Sequence, residues 1–223
     1  MKINDLISRY DSDNMYDEIK GFPKQFNFAS KIIDSWNNKH NYKDINRILI
    51  LGMGGSAIGG KIISDMLNKS INISIDISSG YSIPKWVNSK TLIIAYSYSG
   101  NTEETISSFN ECSDDLSRIV ISTGGKLLDL ANEYNLDYIR LPKGQQPRAA
   151  LGYSISAYLG LFYKLSLISK EVLIEFNYAI TELNIFSKNI ISDNMLVKEI
   201  AKNIYDKIPI IYSENETTSS IGT

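Results

Sequence analysis

The sequence predicts an α/β fold in which a doubly wound, mainly parallel sheet is flanked by helices on both faces. Three short apolar runs without polar alternation are typical of strands buried on both sides, and they occupy residues 47–52, 91–96 and 118–122. Segments with helical character separate these runs. Because right-handed crossovers connect strands through helices, this order predicts parallel strands with helices on either side.

The remaining elements follow in chain order. Residues 1–45 have the pattern of helices, and Phe22-Pro23 is expected to break them. The run 71–77 alternates apolar and polar residues, as a strand nearer the sheet edge does, and 136–141 is a candidate for a further strand. Helices are predicted between the strands at 60–68, 102–110 and 126–134.

The region after the predicted sheet has a different character. Residues 148–205 carry apolar positions almost only at helical spacing, and then Ile208–Tyr212 has the composition of another buried strand. We expect that strand to open a second α/β unit. The predicted organisation is N-terminal helices at 1–45, a sheet domain at 46–153, a helical connector at 154–206 and the beginning of a second, truncated domain at 207–223.

Composition excludes several function classes. Among 223 residues, 23 Lys and Arg stand against 25 Asp and Glu, so the basic excess typical of nucleic-acid binding is missing. A single cysteine, Cys112, excludes an intrachain disulfide framework and a cysteine-clustered zinc site. The lone His40, expected in an exposed loop, excludes a two-histidine metal site. With no signal peptide or membrane span visible, a cytoplasmic protein without nucleic-acid or membrane partners is expected.

A glycine-rich loop, Gly52–Gly60, follows the first predicted strand and opens a helix. Its sequence GMGGSAIGG has five glycines in nine residues, which allows a ligand to approach the backbone closely. In open α/β sheets, ligands bind beyond the carboxyl ends of the strands, and helix N-termini bind anions there. We therefore interpret this loop as part of a binding site rather than as a tight turn alone.

Two known phosphate-binding patterns partly fit the same loop. Gly52-x-Gly54-x-x-Ala57, with Asp76 further on, matches a dinucleotide fingerprint. The stretch 55–61 matches G-x-x-x-x-G-K, but Ile62 stands where a Ser or Thr should reach a metal ion, so the P-loop interpretation is weak.

A second loop, with the sequence SYSGNTEET at 97–105, follows the next predicted strand. Ser97, Ser99 and Thr102 supply three hydroxyl groups near a helix start, which suits the oxygen atoms of a phosphate. The alternative is helix capping by Asn101 or Thr102. Since capping needs one such side chain, the additional serines favour phosphate binding.

Two further segments follow the later strands. The stretch 122–126 is slightly better interpreted as a turn and helix start than as another side of the pocket. Pro147 places Arg148 near a helix N-terminus, where a cation opposes the helix dipole. A residue that violates a local rule is more often functional, although an exposed structural arginine is the alternative.

Together, the segments GMGGSAIGG, SYSGNTEET, STGGKLLDLA and PRAALGY resemble the sugar isomerase (SIS) domain, and more narrowly the bifunctional phosphoglucose/phosphomannose isomerase family. The resemblance implies a two-domain homodimeric enzyme that interconverts glucose 6-phosphate or mannose 6-phosphate with fructose 6-phosphate, without metal or cofactor. It also implies site residues: phosphate binding by Ser97, Ser99 and Thr102, sugar contacts by Gly54, Gly55 and Ser56, and stabilisation of a cis-enediolate by Arg148.

The resemblance also has a gap. In the family, the proton-transferring base is a Glu in an Asn-Glu-Asn-x-Lys stretch of the second domain, assisted by a later His and Lys, and none of these is matched in residues 1–223. We therefore expect this chain to bind sugar phosphate without catalysing isomerisation alone. Two alternatives stay open: a non-catalytic SIS module that senses sugar phosphates, and a dinucleotide-binding Rossmann domain.

Overall fold

A five-stranded parallel sheet with the strand order β2-β1-β3-β4-β5 lies at the centre of the structure, a computed structural model that describes residues 3–192 and 195–212. The strands are β1 (Arg47–Leu51), β2 (Ser74–Ser78), β3 (Thr91–Ser97), β4 (Ser117–Ser122) and β5 (Asp137–Arg140). All four strand pairings are parallel. The α/β class is confirmed, as are the edge position of β2 and the further strand β5.

Side chains alternate between the two faces of this sheet. Ile48 and Ile50 of β1 belong to the core on one face, and Leu49 and Leu51 belong to the core on the other. The helices that cover the first face are α3 (Phe28–Ser35), α4 (Gly55–Leu67) and α7 (Leu151–Lys164), and those on the second are α5 (Glu103–Asn110) and α6 (Gly125–Glu133). Helices on both faces explain why the central strands are uniformly apolar.

Helix α7 is almost wholly buried between the sheet and the N-terminal helices. Glycines allow its close packing: a Cβ on Gly59 of α4 would stand within 2.7 Å of Ser154 Cβ, and one on Gly160 would stand 2.9 Å from Ile32 Cβ. The expected division between residues 153 and 154 therefore falls inside a helix that belongs to the core of the sheet domain.

The N-terminal helices are α1 (Ile3–Tyr10) and α2 (Met15–Gln25), followed by α3. The Asp11 carboxylate stabilises the start of α2, because it accepts hydrogen bonds from the backbone N–H groups of Met15 (2.8 Å) and Tyr16 (2.9 Å). The predicted break at Phe22-Pro23 is wrong, because α2 continues through Pro23 and ends two residues later. Proline near a helix end removes few hydrogen bonds, and here its ring is buried.

The C-terminal part consists of α8 (Lys170–Ser192) and α9 (Met195–Ile204). The buried strand predicted at 208–212 is not formed: this segment is irregular, and Ile208 and Tyr212 are 92% and 90% exposed. A strand needs a neighbouring strand for its backbone hydrogen bonds, and no strand of the described residues pairs with it. Residues 213–223, the rest of the predicted second domain, lie outside the described part.

The helices described in the structure include none that combines the length and apolar character needed to span a bilayer.

The buried carboxylate of Asp137 holds the segment that leads into the first strand. Asp137, at the start of β5, accepts hydrogen bonds from the backbone N–H groups of Lys39 (2.8 Å) and His40 (3.1 Å), and from the Tyr42 hydroxyl (2.7 Å). His40 is exposed, as expected, and its Nδ1 lies 3.1 Å from the same carboxylate. Burial alone would raise the pKa of Asp137, but these hydrogen bonds outweigh burial and hold its pKa below the ordinary value.

We expect Asp137→Asn to lower the free energy of unfolding at pH 7 by about 1 to 3 kcal/mol, because an amide turns an N–H donor toward N–H donors. A lowered folded-state pKa stabilises the fold above the unfolded pKa and loses that effect as pH falls through the folded pKa. The difference in the free energy of unfolding between wild type and variant should therefore decrease below the ordinary aspartate pKa of 3.8. Urea unfolding at neutral and acid pH measures it, with the exposed Asp34→Asn as control. A gap independent of pH would contradict this assignment.

Candidate ligand-binding edge of the sheet

The carboxyl ends of β1 and β3 lie side by side at the centre of the sheet. Leu51 pairs with Ala95, while the other side of β1 pairs with β2. The chain thus moves from β1 outward to β2 and returns to β3 on the opposite side. This reversal is a topological switch point, where open α/β sheets bind ligands beyond the carboxyl ends of their strands.

The glycine-rich loop after β1 is short, because α4 begins at Gly55 rather than near residue 60 as predicted. Gly54 has φ of 53° and is exposed, and Gly55 and Ser56 are half-exposed in the first turn of the helix. A Cβ on Gly52 would stand 3.1 Å from the carbonyl oxygen of Tyr96. The loop therefore runs close to the end of β3, and α4 starts at the switch point without a side-chain cap.

The hydroxyl groups of the second loop have different positions. Ser97 is fully buried, and its Oγ accepts a hydrogen bond from the Gly100 N–H (3.0 Å) and lies 2.8 Å from Thr102 Oγ1. Ser99 is exposed, and Thr102 is half-exposed. Ser97 thus supports the loop from within, and Ser99 and Thr102 are the predicted hydroxyl residues that have exposed surface.

Helix capping does not explain these residues. Thr102 is the N-cap residue of α5, yet its hydroxyl bonds to Ser97 and makes no cap hydrogen bond. Asn101 caps a different helix: its Oδ1 accepts a hydrogen bond from the Lys126 N–H (3.0 Å) in the first turn of α6. The sequence carries no signal for this cap, because Asn101 and Lys126 follow different strands.

The third loop supports the second one. A Cβ on Gly100, whose φ is 76°, would stand 1.7 Å from the carbonyl oxygen of Gly124, so the two backbones are in direct contact. Ser122 Oγ lies 2.8 Å from the same carbonyl oxygen. The stretch 122–126 is therefore a turn and helix start, as favoured from the sequence, that fixes the loop after β3.

Arg148 lies on a short 3-10 helix, Pro147–Ala150, that precedes α7. The Pro147 carbonyl oxygen would be 3.5 Å from a Cβ on Gly55, so this segment adjoins the start of α4. The Arg148 side chain is exposed, and within residues 3–192 and 195–212 its guanidinium makes no hydrogen bond or ion pair. Gln25 of α2 secures the segment by donating to the Ala149 carbonyl oxygen (2.6 Å).

The nucleotide-binding patterns lack their supporting geometry. Asp76 pairs with Arg47 at 3.1 Å, and Arg47 is the first residue of β1, so this carboxylate is directed toward the amino edge of the sheet. The stretch 55–61 lies within α4 and does not form a phosphate-binding loop. His40 is also at the amino edge, beside Asp137. In the described ranges, no three His, Cys, Asp or Glu side chains are grouped so that they could hold a metal ion.

Comparison with curated proteins identifies relatives of this chain. It is 36% identical over 212 residues to a bifunctional phosphoglucose/phosphomannose isomerase of Caldicellulosiruptor bescii, covering 93% of this chain and 62% of that protein. It is 33% identical over 192 residues to a protein of the same name from Aquifex aeolicus, covering 82% of this chain and 57% of that protein. The chain is a homologue of the bifunctional phosphoglucose/phosphomannose isomerases. It spans less than two thirds of the length of these isomerases. No family model matches it.

The fold has counterparts among solved structures. The C-terminal domain of glucosamine-fructose-6-phosphate aminotransferase from Francisella tularensis superposes with a TM-score of 0.69 and 14% identity, covering 93% of this chain and 64% of that one. At this identity the likeness concerns the fold alone. This counterpart agrees with the α/β architecture that the apolar runs of the chain predict.

The contact between Gly100 and Gly124 predicts a large effect of one methyl group. Gly100→Ala combines a positive φ with a backbone clash, so it should lower unfolding stability by more than the roughly 1 to 2 kcal/mol that a positive φ alone costs. Gly144→Ala is the matched control, because Gly144 has φ of 97° and open space around its Cβ position. Thermal unfolding compares them, and equal destabilisation would show that the two loops do not touch.

Proposed function

We propose that the carboxyl edge of the sheet binds a hexose 6-phosphate, and that the protein serves the interconversion of glucose 6-phosphate and mannose 6-phosphate with fructose 6-phosphate. The observation that carries this proposal is the presence of two hydroxyl residues, the exposed Ser99 and the half-exposed Thr102, at the switch point beside the uncapped start of α5. Homology to enzymes named for this reaction supports the choice of substrate.

Hydrogen bonds rather than charge would hold the phosphate. Glu103 and Glu104 occupy the first turn of α5 and offset the positive end of its dipole. Ser99 and Thr102 would therefore supply hydroxyl donors, together with backbone N–H groups of the loop, and Ser97 would keep Thr102 in place. A phosphate accepts hydrogen bonds from many directions, so such a neutral site suits it.

The reacting part of the sugar would extend toward the loop after β1 and Arg148. Gly54, Gly55 and Ser56 would line the sugar, since they are accessible where α4 begins. Isomerisation moves a proton between C1 and C2 through a cis-enediolate, whose negative charge a fixed guanidinium stabilises. Arg148 is suited to that role because no described carboxylate neutralises it.

Proton transfer itself would require groups outside the residues matched here. Resemblance to the family assigns the base to a Glu of a second sheet domain, which we infer to begin near residue 207. We also infer a homodimer located in the cytoplasm, working without metal or cofactor. A non-catalytic sensing module would share the hydroxyl groups but has no need for a cation beside the reacting carbons, and Arg148 therefore favours the isomerase.

We expect the 223-residue chain to bind fructose 6-phosphate, and Ser99→Ala to weaken that binding about tenfold, because one hydrogen bond to a charged group is lost. Isothermal titration calorimetry measures the affinity. Ser35→Ala, an exposed serine on α3, is the matched control and should bind as the wild type does.

The same titration separates sugar phosphate from dinucleotide. NAD should not bind, and Asp76→Asn should leave the affinity for fructose 6-phosphate unchanged, since Asp76 is paired with Arg47. Binding of NAD that depends on Asp76 would overturn the proposal in favour of the dinucleotide-binding alternative.

Catalysis by this chain alone is a separate question. We expect no turnover of fructose 6-phosphate in an assay coupled to glucose-6-phosphate dehydrogenase, because general-base catalysis needs a group placed at the C1 and C2 protons. Measurable activity that is lost in Arg148→Ala would show that a base is present in residues 1–223.

A further inference from the structure

Tyr98 connects the second loop to the segment that carries Arg148. It lies between the two serines of that loop, and its phenol donates a hydrogen bond to the Pro142 carbonyl oxygen (3.0 Å). The Tyr98 phenol oxygen also accepts a hydrogen bond from the Gln145 N–H (3.1 Å). One side chain of the candidate phosphate-binding loop thus holds both sides of the turn after β5.

A second side chain holds the same segment from the opposite direction. The Gln146 N–H donates to the carboxylate of Glu18 on α2, at 3.2 Å from Oε1 and 3.0 Å from Oε2. Arg148 follows two residues later. The backbone leading to Arg148 is therefore fixed between the second loop and α2, while the guanidinium itself stays exposed.

The backbone of Tyr98 is also fixed. Its carbonyl oxygen accepts a hydrogen bond from the Thr123 N–H (3.1 Å), so the residue is tied to the third loop as well. Burial raises the pKa of the Tyr98 phenol, and the hydrogen bond from Gln145 offsets this only in part. The phenol therefore remains protonated and able to donate at neutral pH.

We propose that Tyr98 is a positioning residue that sets the distance between the phosphate-binding hydroxyls and Arg148. A ligand whose phosphate lies against Ser99 and Thr102 then presents its reacting carbons to the guanidinium. This inference rests on the proposed function and adds a residue that contacts neither the phosphate nor the reacting atoms.

Two probes separate positioning of Arg148 from phosphate binding. 5-Phosphoarabinonate carries a carboxylate where the enediolate charge develops, and arabinitol 5-phosphate has a neutral hydroxyl there. If Arg148 is held in place, the wild-type chain should bind the acid about tenfold more tightly than the alditol. Arg148→Ala should remove this preference.

The decisive variant is Tyr98→Phe, measured by calorimetry with both probes. We expect the preference for the acid to fall to about threefold or less, while affinity for the alditol stays within about twofold of wild type. Tyr163→Phe, which removes the hydroxyl group of a partly buried tyrosine on α7, is the matched control. It should change neither the preference for the acid nor the affinity for the alditol. Glu18→Ala tests the same segment from α2 and keeps the inference testable if Tyr98→Phe does not fold.

An unchanged preference in Tyr98→Phe, or equal weakening of both probes, overturns the positioning role and leaves the proposed function intact. A wild-type chain that binds both probes equally also overturns it, because Arg148 then does not meet the charge. A wild-type chain that binds neither probe overturns the proposed function, and this inference with it.

Discussion

The direct backbone contact between the loops after β3 and β4 determines the shape of the candidate site. Gly100 and Gly124 touch where any side chain on Gly100 would collide with a carbonyl oxygen. This contact brings Asn101 to the start of α6 and lets the Leu127 N–H donate to the Gly100 carbonyl oxygen (2.9 Å). The conformation of the second loop therefore depends on strands β3 and β4 and on helices α5 and α6, which these loops connect. A loop fixed at so many points loses less conformational entropy when its hydroxyl groups bind a ligand.

The N-terminal helices reach the carboxyl edge of the sheet because they pack on α7, which is itself buried against the sheet. Tyr158 of α7 stacks on Tyr96 of β3, while Gly152 and Gly160 of α7 lie against Gln25 of α2 and Ile32 of α3. Glu18 and Gln25 of α2 can then bond the backbone of residues 146 and 149. Helix α2, which precedes the sheet in sequence, thus stabilises the segment that follows the last strand. Both belong to the same domain as the sheet.

Much of the fold was predictable because it depends on local composition. Uninterrupted apolar runs gave the three central strands, since strands covered on both faces need no polar positions. At 208–212 the composition also resembles a buried strand, but the segment is irregular and no strand of the described residues pairs with it. The predicted break at Pro23 was wrong, because a proline close to a helix end removes few backbone hydrogen bonds.

The candidate site was predictable as a set of loops but not as a network. Glycine-rich and hydroxyl-rich segments after strands point to the carboxyl edge, and the parallel sheet brings them together. The bonds that connect those loops join residues far apart in sequence, as between Tyr98 and Gln145 or between Asn101 and Lys126. Which hydroxyl residue supports the loop and which is exposed also depends on packing, so the sequence alone does not distinguish the buried Ser97 from the exposed Ser99.

In the proposed site, the hydroxyl groups of Ser99 and Thr102 and the guanidinium of Arg148 would have different effects on the reaction. A phosphate is held equally in substrate and transition state, so contacts with Ser99 and Thr102 would increase affinity without raising the rate of the chemical step. A guanidinium near the reacting carbons meets full negative charge only in the enediolate, and its effect is selective for that state. The selectivity depends on distance, because a cation too close to the phosphate would bind the substrate and its transition state alike. In the proposed site, the hydrogen bonds of Tyr98 would keep the phosphate contacts and the charge stabilisation in their separate roles.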